Sequence, residues 1–218
     1  MKAEHNIAPM SSIFWLAWRG ILGLAGNSKT TENLRLARSC TINLPSVVQA
    51  DAVDRLALTT GTEPVPERKT SRGYRHVADK FNIAGLTPRK AETIAAPRVL
   101  ECPIQLEAVV EAVHEIAEGD ERLKGGAMTF EVRVQRVHAE EDILVAGNPN
   151  RIDPDKWRPL IMSFQKFYGL GAQVHPSTLA EVPEAKYRSP DVDRARQLIT
   201  AAKVNWPERP SVETQSTK

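Results

Sequence analysis

A turn rich in hydroxyl and amide side chains lies near the start of the chain and offers the donors that a phosphate group needs. Residues 26–33 read Gly-Asn-Ser-Lys-Thr-Thr-Glu-Asn. A helix beginning near Ser28 would add its first-turn N–H groups and the positive end of its dipole to the hydroxyls and the Lys29 ammonium. A phosphomonoester carries almost two negative charges and needs several such donors. The alternative is ordinary helix capping by Ser28 beside a solvated lysine, which is a common arrangement at helix starts.

A second segment, Ala-Pro-Met-Ser-Ser at residues 8–12, could contact a flat ring. Pro9 lacks an N–H and has a fixed φ, so it shapes the backbone where a strand begins. Free backbone groups beside it could hydrogen-bond with the polar edge of a heterocycle, and Met10 could lie against the ring face. The alternative is the ordinary start of a strand with a methionine in the core.

Apolar runs around these two segments predict the elements that position them. The first run is rich in Ile, Phe, Trp and Leu and favours a strand buried on both faces, with a turn at Arg19-Gly20. Ser28 is the expected N-cap of the first helix. The predicted elements are strands over residues 10–18, 21–25 and 40–44 and helices over residues 28–38 and 47–58.

The remainder of the chain predicts a polar excursion followed by paired strands. Residues 59–98 are rich in turn residues, and an excursion of this length often covers a site. Residues 104–113 and 128–137 alternate apolar and polar side chains and predict two long antiparallel strands. Further elements are a short helix after Asp153 and a last helix over residues 190–204. The pattern is mostly antiparallel β with a few helices, which fits a barrel or a sandwich.

Composition and charge exclude several classes of partner. The 29 basic and 27 acidic residues are interspersed and give a formal charge of +2, so the chain lacks the basic stripe of a nucleic-acid binder. Its two cysteines, Cys40 and Cys102, have no ligand-type spacing, and we expect no metal site. The apolar run over residues 13–25 is broken by Arg19 and is too short to span a bilayer. We therefore predict a soluble cytoplasmic protein without a membrane partner.

Together with these two segments, several stretches make the chain similar to the flavin reductase-like family, whose domains bind FMN in a split β-barrel. The Asn-x-Ala-Pro-Met-Ser segment and the Ser-Lys-Thr-Thr-Glu-Asn turn carry the resemblance. It extends over about residues 5–180 and is specific because many segments occur in the right order. The further matching stretches are residues 43–46, 54–61, 73–76, 80–81, 84–88, 101–107 and 158–171.

The resemblance implies a fold and a set of cofactor contacts. The expected fold is mainly β with helices, an FMN-binding split β-barrel over residues 1–180 followed by a C-terminal helix and polar tail over residues 181–218. The residues implied on the ring side of FMN are Asn6, Ala8, Pro9, Met10, Ser11 and Ser12. Those implied on the phosphate side are Asn27, Ser28, Lys29, Thr30 and Asn33.

The resemblance also implies an activity, namely transfer of hydride from NAD(P)H to flavin, in a homodimer with the flavin at or near the subunit interface. The cofactor carries this chemistry, so no protein acid or base is required and we assign no catalytic residue. Two alternatives remain open. One is a non-enzymatic FMN-binding electron carrier or sensor, and the other is a truncated relative that binds no flavin.

One departure from the family pattern concerns the start of the chain. Relatives usually have a strand before the Asn-x-Ala-Pro segment, whereas only five residues precede Asn6 here. From this we expect that the N-terminal strand of the barrel is missing, which would leave an open sheet edge and put flavin affinity in doubt.

Overall fold

A computed structural model describes residues 5–204, with side chains described through residue 199. In chain order the elements are β1 (Ile13–Leu16), β2 (Arg19–Ala25), α1 (Lys29–Ala37), β3 (Ser39–Leu44), a 3₁₀ turn (Val47–Gln49), α2 (Ala50–Arg55), β4 (Thr59–Thr60), α3 (Glu67–Thr70), β5 (Arg75–His76), α4 (Lys80–Ala84), β6 (Pro88–Arg89), β7 (Arg98–Val99), β8 (Ile104–Glu115), β9 (Ala127–Ala139), a 3₁₀ turn (Glu141–Ile143), β10 (Leu144–Val145), β11 (Asn148–Ile152), α5 (Pro154–Trp157), β12 (Ile161–Ser163), β13 (Lys166–Tyr168), two 3₁₀ turns (Thr178–Glu181 and Glu184–Tyr187) and α6 (Pro190–Val204).

The main sheet has five strands in the order β1-β2-β9-β8-β3, and every neighbouring pair is antiparallel. The predicted class, mainly antiparallel β with helices, is confirmed. The predicted strands at residues 21–25 and 40–44 and the two long paired strands are all present. Among the described residues the sheet stays open and no barrel closes.

The core lies on one face of this sheet, where α1 packs. Alternation along β9 directs Phe130 and Val132 inward, and both side chains are fully buried. They pack in one cluster with Leu22 of β2 and Leu34 of α1. Because α1 follows β2 directly, burying Leu34 against the sheet fixes the start of α1 close to the end of β2.

The opposite face of β8 is also buried, because residues 87–98, the last part of the excursion over residues 59–98, cover it. Glu107 is completely buried there. Its carboxylate accepts hydrogen bonds from the Glu92 N–H at 2.8 Å and from the Thr93 N–H and hydroxyl at 2.6 Å each. His138 Nε2 lies 2.7 Å from Glu107 Oε1, and Arg98 Nε lies 3.7 Å from the same oxygen. A single buried carboxylate thus ties the excursion to the sheet.

The first predicted strand differs from the structure in its bounds and its burial. The strand begins at Ile13 rather than at residue 10, and it alternates between half-buried and exposed side chains instead of being buried on both faces. The reason is its position: β1 is an edge strand that pairs only with β2. The reversal falls at Ala17, where φ is 52°, so Arg19 belongs to β2 and not to the turn.

The helix predicted over residues 47–58 is shorter and splits in two. A 3₁₀ turn at Val47–Gln49 leads into α2, which ends at Arg55. The predicted helix rests on an apolar stripe at helical spacing, namely Val48, Ala52, Val53 and Leu56. Leu56 is buried as this stripe predicts, whereas Val48 is 75% exposed. The 3₁₀ turn breaks the 3.6-residue periodicity on which the stripe depends, so Val48 rotates out of it.

The C-terminal segment is attached to the sheet by an ion-pair network. Helix α6 packs against β9, and Arg19 of β2 lies 2.9 Å from Asp191 and 2.5 Å from Glu131. The proposed boundary at residue 180 stays a prediction, and residues 205–218 of the predicted tail lie outside the described residues. So does the segment before Asn6, apart from His5.

Two properties of the described residues bear on the chemistry of the protein. Both Cys40 and Cys102 are free thiols, and burial raises the pKa of each to about 12. No helix within residues 5–204 has the length and apolar character needed to cross a bilayer.

The Glu107 network gives a prediction about acid stability. Burial alone would raise the pKa of Glu107, but hydrogen bonds from His138, Thr93 and Glu92 outweigh it and lower the pKa to about 2, from 4.5. The ionised carboxylate therefore stabilises the fold above about pH 4.5, and this contribution is lost as the pH falls towards 2. We expect Glu107→Gln to reduce the free energy of unfolding at pH 7 by about 2–3 kcal/mol.

Urea unfolding of wild type and variant at several pH values checks this prediction. The stability difference between them should shrink between pH 4.5 and pH 3. Glu111→Gln is the matched control, because Glu111 pairs with Arg133 at a partly exposed position and should cost less than about 1 kcal/mol. A difference between Glu107→Gln and wild type that does not change with pH would contradict the assigned role.

Candidate functional site

The start of α1 is built as the sequence predicts, with Ser28 as its N-cap. Ser28 has extended φ and ψ of −84° and 150°, and its Oγ accepts a hydrogen bond from the Thr31 N–H at 3.1 Å. The Ser28 hydroxyl also donates to Thr31 Oγ1 at 3.0 Å, and the Thr31 hydroxyl donates to the Ala25 carbonyl at 2.7 Å. The single proton of Ser28 is thus used within the cap, so Ser28 contributes to the shape of the turn more than to its donor set.

The two predicted halves of the site meet through one hydrogen bond. Asn6 Nδ2 of the ring-side segment donates to Thr30 Oγ1 of the phosphate-side turn at 3.0 Å. Thr30 Oγ1 accepts this bond and keeps its own proton for another acceptor. The other amide atom, Asn6 Oδ1, is buried and has no hydrogen-bond partner among the described residues. Asn6 therefore holds the N-terminal segment against the mouth of α1.

The rest of the ring-side segment runs along the surface before β1 begins. Ala8, Pro9, Ser11 and Ser12 are exposed, and Met10 is 38% exposed, so the alternative of a core methionine is wrong. The Ser12 carbonyl accepts the Gly23 N–H at 2.8 Å, which aligns the segment with β2. The backbone groups of residues 8–10 remain at the surface beside the start of α1.

The other phosphate-side residues differ in position. Asn27 is exposed in the turn that precedes the cap. Lys29 is largely covered, and its Nζ lies 3.1 Å from Glu32 Oε1, which offsets part of its charge. Asn33 is half-buried, on the second turn of α1. The structure thus places Lys29 and Thr30 at the mouth of α1, with Asn27 and Asn33 on either side of it along the chain.

A cavity of about 450 Å³ opens beside this helix start. Its far wall comes from the first part of the excursion, residues 59–78. There β4 and β5 pair in parallel, with Thr60 opposite His76. The lining residues are His5, Asn6, Lys29, Gly61, Glu63, His76 and Ala78. Of these, the sequence interpretation assigned only Asn6 and Lys29. The signal that could have found Gly61 and His76 was present, because both belong to stretches that carry the family resemblance.

Gly61 allows the two walls of the cavity to come together. A Cβ at this position would lie 2.7 Å from Asn6 Oδ1 and 3.1 Å from Lys29 Cγ. His76 is oriented on the same wall, with Nδ1 3.3 Å from the Thr62 carbonyl oxygen and Nε2 3.4 Å from Glu63 Oε2. The close packing of Gly61 therefore determines how near the excursion lies to the start of α1.

Two lysines beside this wall, Lys69 and Lys80, make no ion pair with a carboxylate in the part of the chain that the structure describes. Lys80 is only 4% exposed, and it makes no ion pair or hydrogen bond among the described residues. Burial and the charge of Lys69 lower its pKa to about 8. Lys69 Nζ lies 3.4 Å from Thr60 Oγ1, and burial lowers the pKa of Lys69 as well. Lys80 also belongs to a stretch that carries the family resemblance, residues 80–81, but the local pattern gives no sign that this lysine is buried.

The arrangement favours an anionic ligand. Lys29 lies at the mouth of a helix whose first N–H groups have no intrahelical partners. Lys69 contacts Thr60, the neighbour of Gly61 in the far wall, and Lys80 lies within the field of Lys69. Within the described part of the chain, no group of three or more His, Cys, Asp or Glu side chains could hold a metal ion. The donor set suits a phosphate group, and the adjoining surface segment with its free backbone groups suits the edge of a ring.

Comparison with known proteins gives the class to which this fold and site belong. The family model described as flavin reductase like domain matches residues 2–171. The chain therefore belongs to the flavin reductase-like family, a group of flavin-binding reductases.

Individual relatives agree with this family. The chain is 36% identical over 172 residues to the uncharacterized protein YdfE of Bacillus subtilis (strain 168), and the match covers 78% of each chain. It is similar in structure to nitrilotriacetate monooxygenase component B from Bacillus cereus, with a TM-score of 0.60, 21% identity and 78% of each chain covered. Flavoredoxin of Desulfovibrio vulgaris (Miyazaki F) gives a TM-score of 0.57 at 21% identity, with 75% of this chain and 76% of flavoredoxin covered. These structural likenesses confirm the predicted split-barrel fold.

The tight packing at Gly61 gives a prediction about stability. The added methyl group of Gly61→Ala would meet Asn6 and Lys29, and overpacking of this kind costs about 1–3 kcal/mol. We expect urea unfolding to show a loss in that range. Gly119→Ala is the control, because nothing lies within 4 Å of a Cβ at Gly119, and it should leave stability within about 0.5 kcal/mol of wild type. Equal effects of the two substitutions would argue against the close contact.

Proposed function

We propose that the protein is an FMN-dependent NAD(P)H:flavin oxidoreductase. Family membership supports flavin binding and reductase chemistry as a class. The observation that carries the assignment to this site is the hydrogen bond from Asn6 to Thr30, because it joins the ring-side segment to the phosphate-side turn. A ligand with a flat polar ring at one end and a phosphate at the other fits this joint arrangement.

In this proposal the phosphate of FMN lies at the mouth of α1. The hydroxyl and the backbone N–H of Thr30 donate hydrogen bonds to it, while the Thr31 N–H stays in the Ser28 cap, and Lys29 supplies charge. Lys80 and Lys69 raise the positive potential nearby, and an arriving dianion would compensate their buried charge. The ring would lie along the surface segment that runs from Asn6 to Ser12, which offers backbone groups to its polar edge.

The chain's part in the reaction is binding, orientation and exclusion of water. FMN, when bound, supplies the redox chemistry by accepting hydride from the nicotinamide. The protein side chains hold the phosphate and leave the ring face accessible to a stacked nicotinamide. Pro9 fixes the backbone φ angle beside the ring. The backbone groups that contact the ring are therefore already oriented before binding, which lowers the entropic cost of binding. No protein acid or base is assigned to the hydride transfer.

We also propose that the protein is a homodimer in the cytoplasm. Large apolar side chains are exposed on the hairpin of β12 and β13 and just after it, and Phe164 at its tip is 98% exposed. Exposed apolar patches of this kind mark protein interfaces. The exposed apolar residues of this hairpin region are Ile161, Met162, Phe164, Tyr168 and Leu170. The two free thiols fit a reducing compartment.

Flavin binding and turnover are tested directly. We expect the purified protein to bind FMN, with a visible flavin spectrum, and to oxidise NADH or NADPH when FMN is present. A yellow protein that oxidises neither nucleotide would favour the electron carrier or sensor instead. A protein that stays colourless with added FMN would favour the flavin-free alternative.

Thr30 variants locate the site in the same assay. Thr30→Val removes one charge-assisted hydrogen bond, and we expect it to weaken FMN binding by about 1.5–3 kcal/mol, or roughly 10- to 100-fold. Thr30→Ser keeps the hydroxyl and should stay close to wild type. Flavin fluorescence titration measures both dissociation constants. Equal FMN affinity of Thr30→Val and wild type would contradict the placement of the phosphate at this turn.

The dimer proposal has its own measurement. Phe164→Glu places a charge in the proposed interface, and we expect light scattering to show a shift from twice the chain mass to the chain mass. Leu123→Glu is the control at an exposed leucine in the loop between β8 and β9, and it should keep the wild-type mass. A wild-type protein that is monomeric at every concentration would overturn the proposal.

A further inference from the structure

The amine of Lys80 is held where its positive charge is costly to keep. The residue is only 4% exposed, and no hydrogen bond or ion pair engages its Nζ within residues 5–199. The preceding carboxylate, Asp79, caps α4 instead, because its Oδ1 accepts the Asn82 N–H at 3.0 Å. Helix α2 packs against α4, but its acidic residues Asp51 and Asp54 are exposed and do not pair with Lys80. An ammonium here is covered by protein without a counter-charge.

A second ammonium lies close to it, on Lys69. After burial, the charge of Lys69 is the further cause that lowers the pKa of Lys80 to about 8. Lys69 Nζ lies 3.4 Å from Thr60 Oγ1, and the Thr62 N–H donates to the same oxygen at 3.2 Å. The Thr62 hydroxyl oxygen is buried and has no hydrogen-bond partner among the described side chains and backbone. The Lys69 ammonium and the Thr62 hydroxyl are therefore donors that could serve an anion formed at Lys80.

Burial, a nearby cation and the lack of a partner all favour the uncharged amine, which is the nucleophilic form of lysine. At pH 8 about half of an amine with this pKa is uncharged, whereas a lysine at the ordinary value of 10.5 is almost wholly protonated. The Nζ of Lys80 is not one of the fully buried atoms that lack a partner, so part of it reaches solvent. The opening is small, because so little of the residue is exposed. It excludes bulky acyl donors and admits a small, uncharged electrophile.

We infer that Lys80 takes up carbon dioxide as a reversible carbamate, and that the Lys69 ammonium pairs with this carbamate. The nitrogen lone pair attacks the carbon of carbon dioxide, a C–N bond forms, and one C–O π pair moves onto oxygen. Starting from the ammonium, one proton leaves before the attack and one leaves nitrogen after it, so nothing is oxidised or reduced. Two neighbouring positive charges become an ion pair, which removes their repulsion. Flavin is not needed for this step.

Trapping the carbamate on the wild-type protein tests this assignment. The protein is equilibrated with ¹³C-bicarbonate near pH 8, the carbamate is alkylated with a trialkyloxonium salt, and the labelled residue is located by peptide mass spectrometry. We expect Lys80 to carry roughly ten times the label of Lys90, an exposed lysine of the same excursion, or more. Before trapping, the carbamate signal in the ¹³C NMR spectrum should disappear when bicarbonate is removed, because the adduct is reversible.

Matched variants separate the roles of the two lysines. Lys80→Arg keeps the positive charge but forms no carbamate, so its ¹³C carbamate signal should be lost. Lys69→Gln removes the counter-charge, and we expect it to lower the labelled fraction of Lys80 by roughly threefold or more. Lys69→Arg keeps this charge and should stay close to wild type. Circular dichroism checks that each variant is folded, and the trapping on wild type requires no variant.

Two results would overturn carbamylation of Lys80. One is label confined to the α-amino group, whose ordinary pKa of about 7.7–8.0 also leaves it partly uncharged near pH 8. The other is equal label on Lys80 and Lys90. A labelled fraction of Lys80 that stays the same in Lys69→Gln would overturn the pairing with Lys69. Each of these results leaves the proposed flavin site intact, and absence of flavin binding would leave the carbamate intact.

Discussion

The pairing of β9 with β2 on one side and β8 on the other is the constraint on which the rest of the structure depends. The first pairing sets where β2 ends, and the chain then turns directly into α1. The second pairing presents the outer face of β8, onto which residues 87–98 fold. The mouth of α1 and the packing of residues 87–98 are therefore both placed by one central strand, whose inner side chains Phe130 and Val132 are fully buried.

Buried charge is treated in two different ways around this sheet. Glu107 is surrounded by donors on every side, so its charge is compensated within the protein and stabilises the fold. The Lys80 side chain is also covered, with 4% of it exposed, but it has no counter-charge among the described residues, and its Nζ is not one of the fully buried atoms without a partner. The charge of a carboxylate with enough hydrogen-bond donors is already compensated within the protein. The charge of an ammonium without a counter-charge can instead be compensated by an anionic ligand. The contrast supports a binding role for the Lys80 side of the excursion and a structural role for the Glu107 side.

Local patterns were enough to predict the long strands and the first helix but not the short elements or the contacts between segments. The alternation of Phe130, Val132 and Val134 predicts both the strand and its inward face, and Ser28 predicts the start of α1, because each signal lies within a few residues. The meeting of Asn6 with Thr30 and the approach of Gly61 depend on distant segments, which spacing does not encode. The prediction that the ligand is a flavin came from the family resemblance, because the hydroxyls and amides alone indicate only a phosphate-bearing ligand. The exposure of Val48 shows that a short 3₁₀ turn interrupts the helical periodicity from which its burial was predicted.

The depressed basicity of Lys80 would link uptake of the proposed flavin to the surrounding buffer. With a pKa of about 8, a measurable share of this amine carries no proton slightly above neutrality. If the phosphate of the proposed ligand lies near Lys80, it would favour the ammonium form, and association would then draw protons from solution. The apparent enthalpy in a calorimeter then contains the ionisation heat of whichever buffer provides them, and comparing phosphate with Tris would reveal how many are taken up.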